Sequence, residues 1–131
     1  PLLRVDFFNV RDETTDATLD TLTGIKANLA QLSLTEAAIS DAGLQKLAGM
    51  SNLVHLDLRN TKIGDAGVNH LQSLPNLRYL NLYGTEVSDT ALPKLAKLKN
   101  LEAIYLWKTK VTEKGVQQLK KQLPKATVSW R

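Results

Sequence analysis

Ser33, His55 and Asp57 are the residue types of a nucleophile, its base and an orienting acid, and they fall within one short stretch of chain. His55 and His70 are metal-ligand types. Lys94, Lys97, Lys99, Lys120 and Lys121 could meet phosphate. A fourth group is of another kind. Tyr79, Tyr83, Tyr105 and Trp107 are four of only seven aromatic residues, and Arg59 and Arg78 lie close by in sequence. Trp, Tyr and Arg combine large contact area with directed polar groups, so this set suits binding and not bond making. With no cysteine in the chain, disulfides, thiolate metal sites, a cysteine nucleophile and covalent haem attachment are excluded within these residues.

Which constellation can operate depends on the elements that carry it, and a fixed period decides those elements. Cutting before Leu29, Leu53, Leu77 and Leu101 gives LAQLSLTEAAISDAGLQKLAGMSN, LVHLDLRNTKIGDAGVNHLQSLPN, LRYLNLYGTEVSDTALPKLAKLKN and LEAIYLWKTKVTEKGVQQLKKQLP, an ungapped period of 24 residues. Leu or Ile recurs at places 1, 4 and 6 of each unit, Ala or Thr at 9, Ile or Val at 11, an acid at 13, Leu or Val at 16 and Leu at 19, with exceptions only within these sets. The L-x-x-L-x-L stretch is too short for a helix and ends in period two, so it predicts a strand. The second half predicts a helix. Ser40 with Asp41, Gly64 with Asp65, Ser88 with Asp89 and Thr112 with Glu113 offer caps or first-turn negative charge, and apolar pairs three apart follow. Asn28, Asn52, Asn76 and Asn100 close the units and turn the chain back.

One unit cannot bury its own apolar face, so neighbours must stack, strands aligned as a parallel sheet and helices opposite. The expected architecture is an α/β right-handed solenoid of about five coils, a single domain over 1–131. Residues 1–28 form a degenerate first unit, with Leu2, Val5 and Phe7 at strand places, Asp16, Leu19, Leu22 and Ile25 at later ones, and about two extra residues near Arg11. Residues 29–123 are the four repeats. After Pro124, the alternation of Ala126, Val128 and Trp130 with Thr127, Ser129 and Arg131 predicts a cap strand over 124–131. No apolar run is long enough for a membrane span, and no signal-peptide pattern opens the chain, which begins on Pro1 as a processed product or an excised piece would.

These units resemble the leucine-rich repeat family, and more narrowly its short bacterial class, L-x-x-L-x-L-x-x-T-x-V-[ST]-D-x-G-L-x-x-L-x-x-L-x-N, closely over 29–123 and loosely at the ends. The resemblance implies a parallel concave sheet with helices on the convex face, and binding of a protein or other ligand on the sheet. The segments LNLYGTEVSDTAL and IYLWKTKVTEKGVQQLKKQLP are also similar to repeat tails of exported bacterial c-type cytochrome domain proteins, including those of planctomycetes and related groups. That likeness implies an extracytoplasmic location and, as an alternative role, a spacer or end-piece of a larger exported redox protein. No C-x-x-C-H is present, so no cofactor is expected here.

With places 1, 4 and 6 inward, places 2, 3, 5, 7 and 8 display side chains on the sheet. Place 3 runs Arg4, Gln31, His55, Tyr79, Ala103; place 5 runs Asp6, Ser33, Asp57, Asn81, Tyr105; place 7 runs Phe8, Thr35, Arg59, Tyr83, Trp107. Parallel strands lie about 4.8 Å apart, so Tyr83 and Trp107 are expected side by side. The partner-binding set is therefore His55, Asp57, Arg59, Arg78, Tyr79, Asn81, Tyr83, Tyr105 and Trp107. The competing account is that the aromatics only stabilise the sheet by contact across strands.

The same columns count against catalysis. Ser33 and Asp57 share one column while His55 projects beside Gln31, on an open sheet with no oxyanion donor pair. Two separated histidines without a third ligand argue against zinc. Net charge is +4, distributed as −4 over residues 1–93 and +8 over 94–131. The lysines fall on outward helix places and a turn, away from the aromatics, whereas a nucleic-acid surface interleaves the two. The expectation is a non-catalytic docking module for a protein or a domain of its own parent chain. A glycan is a lesser candidate, and nucleic acid is disfavoured. Thr61, Thr85 and Thr109 are expected to satisfy backbone groups at the strand-to-turn corner.

Overall fold

The computed structural model describes residues 1–7 and 13–131. Phe8 and the join near Arg11 lie outside the described residues. Six strands form one parallel sheet in chain order: β1 (Leu3–Asp6), β2 (Leu29–Ser33), β3 (His55–Asp57), β4 (Tyr79–Asn81), β5 (Ala103–Tyr105) and β6 (Thr127–Ser129). From β2 to β6 each residue pairs with the one 24 positions on, so Gln31, His55, Tyr79, Ala103 and Thr127 form one column. The repeat length is thus the register of the sheet.

The inward columns make the core. Leu32, Leu56, Leu80 and Ile104 at place 4, and Leu34, Leu58, Leu82 and Leu106 at place 6, are completely buried. Both faces of every inner coil are covered by the next, which is how units too small to fold alone reach a continuous apolar interior. The chain is a right-handed α/β solenoid with the sheet on its concave side and helices on its convex side, the handedness that parallel crossovers adopt.

The convex segments are shorter and tighter than the sequence suggests. They comprise α1 (Asp41–Leu44), α2 (Asp65–His70), α3 (Leu92–Leu95) and α4 (Glu113–Gln122), interspersed with 3-10 turns, and the first coil carries a 3-10 segment over Asp16–Asn28. Ser88 and Thr112 accept hydrogen bonds from Thr90 and Gly115 N–H as helix caps, whereas Ser40 does not cap its helix. The acids at place 13 do something else. Asp16, Asp41, Asp65 and Asp89 reach across to the next coil and accept its N-cap N–H, from Ser40 at 2.8 Å, Gly64 at 2.7 Å, Ser88 at 2.7 Å and Thr112 at 2.8 Å. The hydroxyls of Ser40, Ser88 and Thr112 also donate to these carboxylates.

Glycine leaves space for this ladder. A Cβ at Gly43, Gly67 or Gly115 would overlap the carboxylate of Asp16, Asp41 or Asp89. Where the third repeat has Ala91 instead, the coil opens with a 3-10 turn over Asp89–Ala91. A second ladder runs along the closing asparagines: the amides of Asn52, Asn76 and Asn100 donate to the carbonyls of Ala27, Ser51 and Pro75 in the preceding coil, at 2.6, 2.8 and 2.8 Å.

At the first coil the expected register holds from Arg4 to Asp6, which pair with Gln31, Leu32 and Ser33, and departs from expectation only at the start of the strand. Leu3, not Leu2, pairs with Leu29, and a bulge follows before Arg4 meets Gln31. The extra residue lies in β2, so β1 needs one residue fewer to reach the same column, and Leu2 is left 68% exposed. Val5, Phe7 and Ile25 are half-buried against the core, while Leu19 and Leu22 are buried. At the other end β6 forms as the alternation predicts, and Trp130 packs on the core with its indole N–H donating to the Val111 carbonyl at 3.1 Å.

Candidate functional site

A turn repeated in every coil aims the concave side chains. After place 7 the chain enters the left-handed region at place 8, with φ of 60° at Glu36, 55° at Asn60, 70° at Gly84 and 55° at Lys108. Only Asn and Gly adopt this region readily, so Glu36 and Lys108 are held there by their surroundings. Hydroxyls brace the corner: Thr61 and Thr85, both buried, and half-buried Thr109 each donate at 2.7 Å to the carbonyl three residues back, as expected of them.

Place 5 departs from the outward display expected of it. Asp57 and Asn81 are buried, at 5% and 7% exposure. Asp57 accepts the Arg59 backbone N–H at 3.1 Å and its Nε at 3.0 Å, with the guanidinium closing an ion pair at 2.9 Å. Asn81 accepts the Tyr83 N–H at 3.0 Å. Both side chains bend back onto the residue two ahead, an Asx turn that ends the strand. They hold Arg59 and Tyr83 in place from beneath, and a partner on the sheet would not reach much of either.

The aromatic contacts run along a different line from the expected Tyr83 and Trp107 pair. His55 and Tyr79, opposite each other in β3 and β4, stack at 3.9 Å between centroids with planes 10° apart. Tyr79 meets Tyr105 diagonally at 5.2 Å and 44°. Tyr83 and Trp107 do occupy neighbouring coils, tied by the Gly84 N–H to the Trp107 carbonyl at 2.9 Å. Their ring environments differ: the Lys108 ammonium lies 5.4 Å from the Tyr83 ring centre, and Trp107 is 42% exposed. Arg78 is exposed and pairs with exposed Glu102 at 3.0 Å.

Beside this row the sheet has an open depression of about 270 Å³, lined among others by Arg4, Gln31, Ser33, His55, Arg59 and Tyr79. Arg4, Gln31 and Ser33 stand in the outward columns of the sequence but outside the set expected to bind a partner. Burial lowers the His55 pKa below its usual value; Asp57 works against this, and Arg4 and Arg59 reinforce it. The ring is accordingly neutral near pH 7. Burial raises the Tyr79 hydroxyl pKa.

The hydrolytic constellation does not assemble. Ser33 Oγ lies 3.4 Å from Thr35 Oγ1, Asp57 is taken up by Arg59, and His55 lies against Tyr79. Among the described residues no hydrogen bond joins the three. His70 lies on α2, and no group of three or more metal-ligating side chains comes together among the described residues. Lys97, Lys99, Lys120 and Lys121 are exposed and Lys94 is half-buried, none of them on the strands that carry the aromatics. No helix among the described residues is long and apolar enough to cross a membrane.

Comparison with known proteins agrees with this architecture. Residues 51–94 match the profile of two leucine-rich repeats and residues 26–48 that of a single leucine-rich repeat, together just over half of the chain. The chain belongs to the leucine-rich repeat family. Among solved structures, this leucine-rich repeat protein is similar to one of Leptospira interrogans, with 22% identity and a TM-score of 0.62 over 78% of this chain. It spans only 25% of that protein's length. It is also similar to internalin C2 of Listeria monocytogenes, with 18% identity and a TM-score of 0.55, covering 98% of this chain and 80% of the internalin. Both likenesses are of fold. No curated protein matches the sequence. Repeats of this family generally mediate contact between proteins.

Proposed function

We propose that this leucine-rich repeat domain is a non-catalytic docking module that holds a protein partner, or another domain of its own parent chain, on the concave sheet. The supporting observation is the exposed indole of Trp107 beside the row of His55, Tyr79 and Tyr105, with Tyr83, Arg59 and Arg78 around it. Large exposed aromatics flanked by arginines are the usual composition of an interface hot spot. Ring contact within the row accounts for sheet stability at Tyr79 and Tyr105, but it does not account for Trp107. Asp57 and Asn81 act in this reading as positioning residues.

Capture from an extract of the source organism, followed by mass spectrometry, tests it by comparing the wild-type domain with a Tyr83→Ser, Trp107→Ser variant at two salt concentrations. A protein held by the wild type and lost with the folded variant supports the concave site. Equal capture by both sinks it, and capture only at low salt would move the site to the basic C-terminal half.

A second reading, a spacer or end-piece of a larger exported redox protein outside the cytoplasm, rests on the likeness of LNLYGTEVSDTAL and IYLWKTKVTEKGVQQLKKQLP to repeat tails of such proteins. It gains if the isolated domain captures nothing while Trp107 is shielded from a fluorescence quencher in the longer parent chain.

A further inference from the structure

The concave face has two unlike halves. Toward β4 and β5 it carries Trp107 and the tyrosines; toward β1 and β2 it sinks into the depression of about 270 Å³ that runs from Arg4 to Tyr79. That volume falls just short of the range of drug-sized ligand sites. Three of the side chains lining it can both donate and accept hydrogen bonds: the Gln31 amide, the Ser33 hydroxyl and the neutral His55 imidazole. Among the described residues the side chains of Gln31 and His55 take part in no hydrogen bond, and Ser33 Oγ has only Thr35 Oγ1 at 3.4 Å.

Charge is present around this set, but it cancels. Arg4 faces Asp6 at 3.6 Å and Arg59 is bound to Asp57 at 2.9 Å. A carboxylate or phosphate would therefore meet an acid beside each arginine, and a cation an arginine beside each acid. The rings supply a further constraint. Tyr79 on β4 covers one face of His55, stacked at 3.9 Å, so the other face is turned toward β2 and the depression. An uncharged ring offers such a face to C–H groups.

We infer that the depression binds one ring of a neutral sugar, its C–H face against His55 and its hydroxyls exchanging hydrogen bonds with Gln31, Ser33 and the outward N–H groups of Arg4 and Arg59. Hydroxyls donate and accept, as do the side chains that await them. An aromatic side chain in the same place would extend the stack but leave Gln31 and Ser33 without partners. The site lies apart from Trp107, on which the docking reading rests, so either can fail without the other.

NMR titration of the 131-residue chain with the methyl glycosides of glucose, galactose, mannose and N-acetylglucosamine, and with glucuronate as an anionic control, tests the inference. At least one neutral glycoside should shift the His55 ring and Gln31 side-chain amide signals saturably, with a Kd on the order of 1 mM. Gln31→Ala, a change at an exposed position, should weaken binding roughly tenfold, and so should His55→Ala, while His55→Phe keeps the ring face and loses less. Circular dichroism confirms that the variants are folded. Tyr83→Ser with Trp107→Ser should bind the sugar as the wild type does. No saturable shift with any of the neutral glycosides, tighter binding of glucuronate, or an affinity indifferent to Gln31→Ala and His55→Ala would each overturn the inference.

Discussion

Asp57 offers a quantitative test because the next coil contains its control. Its carboxylate does two things: Oδ1 accepts the Arg59 N–H and Nε, and Oδ2 closes the ion pair with the guanidinium. At the equivalent place Asn81 accepts the Tyr83 backbone N–H at 3.0 Å without any ion pair. Replacing Asp57 with Asn should therefore keep the turn and lose only the ion pair. Arg59 is 47% exposed, so water takes over most of that interaction, and the cost should be about 0–1 kcal/mol. Asp57→Ala removes the acceptor as well and opens a small void in a buried position. A lost charge-assisted hydrogen bond adds roughly 1.5–3 kcal/mol. Urea unfolding followed by circular dichroism measures both variants, the alanine midpoint falling well below that of asparagine at unchanged slope. Equal losses for Asn and Ala would refute the reasoning, because the turn would then owe nothing to the side-chain acceptor.

Three further outcomes follow from the same geometry. The His55 pKa is lowered in the folded state, so the unfolded chain binds more protons just below pH 6.5; stability is complete above that value and falls as the pH drops toward the folded pKa. Unfolding midpoints between pH 7.5 and 5.5 should thus decline more steeply for the wild type than for His55→Gln, and parallel profiles would contradict the burial argument. Gly84→Ala puts a Cβ against the Asn60 side chain at φ +70°, and should lower stability by about 1–2 kcal/mol in thermal unfolding. Asp65→Ala strips the Ser88 N–H and hydroxyl of their acceptor across coils, a loss of about 1–3 kcal/mol, with hydrogen exchange at the Ser88 amide rising accordingly.

Much of the fold was legible because its information is periodic. The 24-residue columns became the sheet register unchanged, and the inward leucines became the core. The alternation after Pro124 became β6. What was not legible depends on contacts between coils. Asp16, Asp41, Asp65 and Asp89 look like ordinary helix-start acids in sequence, and their partners lie 23 or 24 residues away. The burial of Asp57 and Asn81 required knowing that each side chain folds back on the residue two ahead, which period-two alternation does not encode. The left-handed turn was marked by Asn60 and Gly84 and hidden by Glu36 and Lys108. In the candidate site the aromatic gathering was visible in sequence. The line of ring contact through His55, Tyr79 and Tyr105 was not, because Tyr105 reaches diagonally to a different column.

The measurement that bears most directly on the docking account is the affinity of the captured partner for three folded forms: the wild type, Tyr83→Ser with Trp107→Ser on the concave side, and Gln72→Glu with Lys97→Glu on exposed residues away from the strands. Titration calorimetry should find the concave variant weaker by more than about tenfold, the loss expected when hot-spot aromatics are truncated, and the other variant close to wild type. Unchanged affinity in the concave variant, or an equal loss in both, would contradict the assignment of the sheet face as the site of recognition.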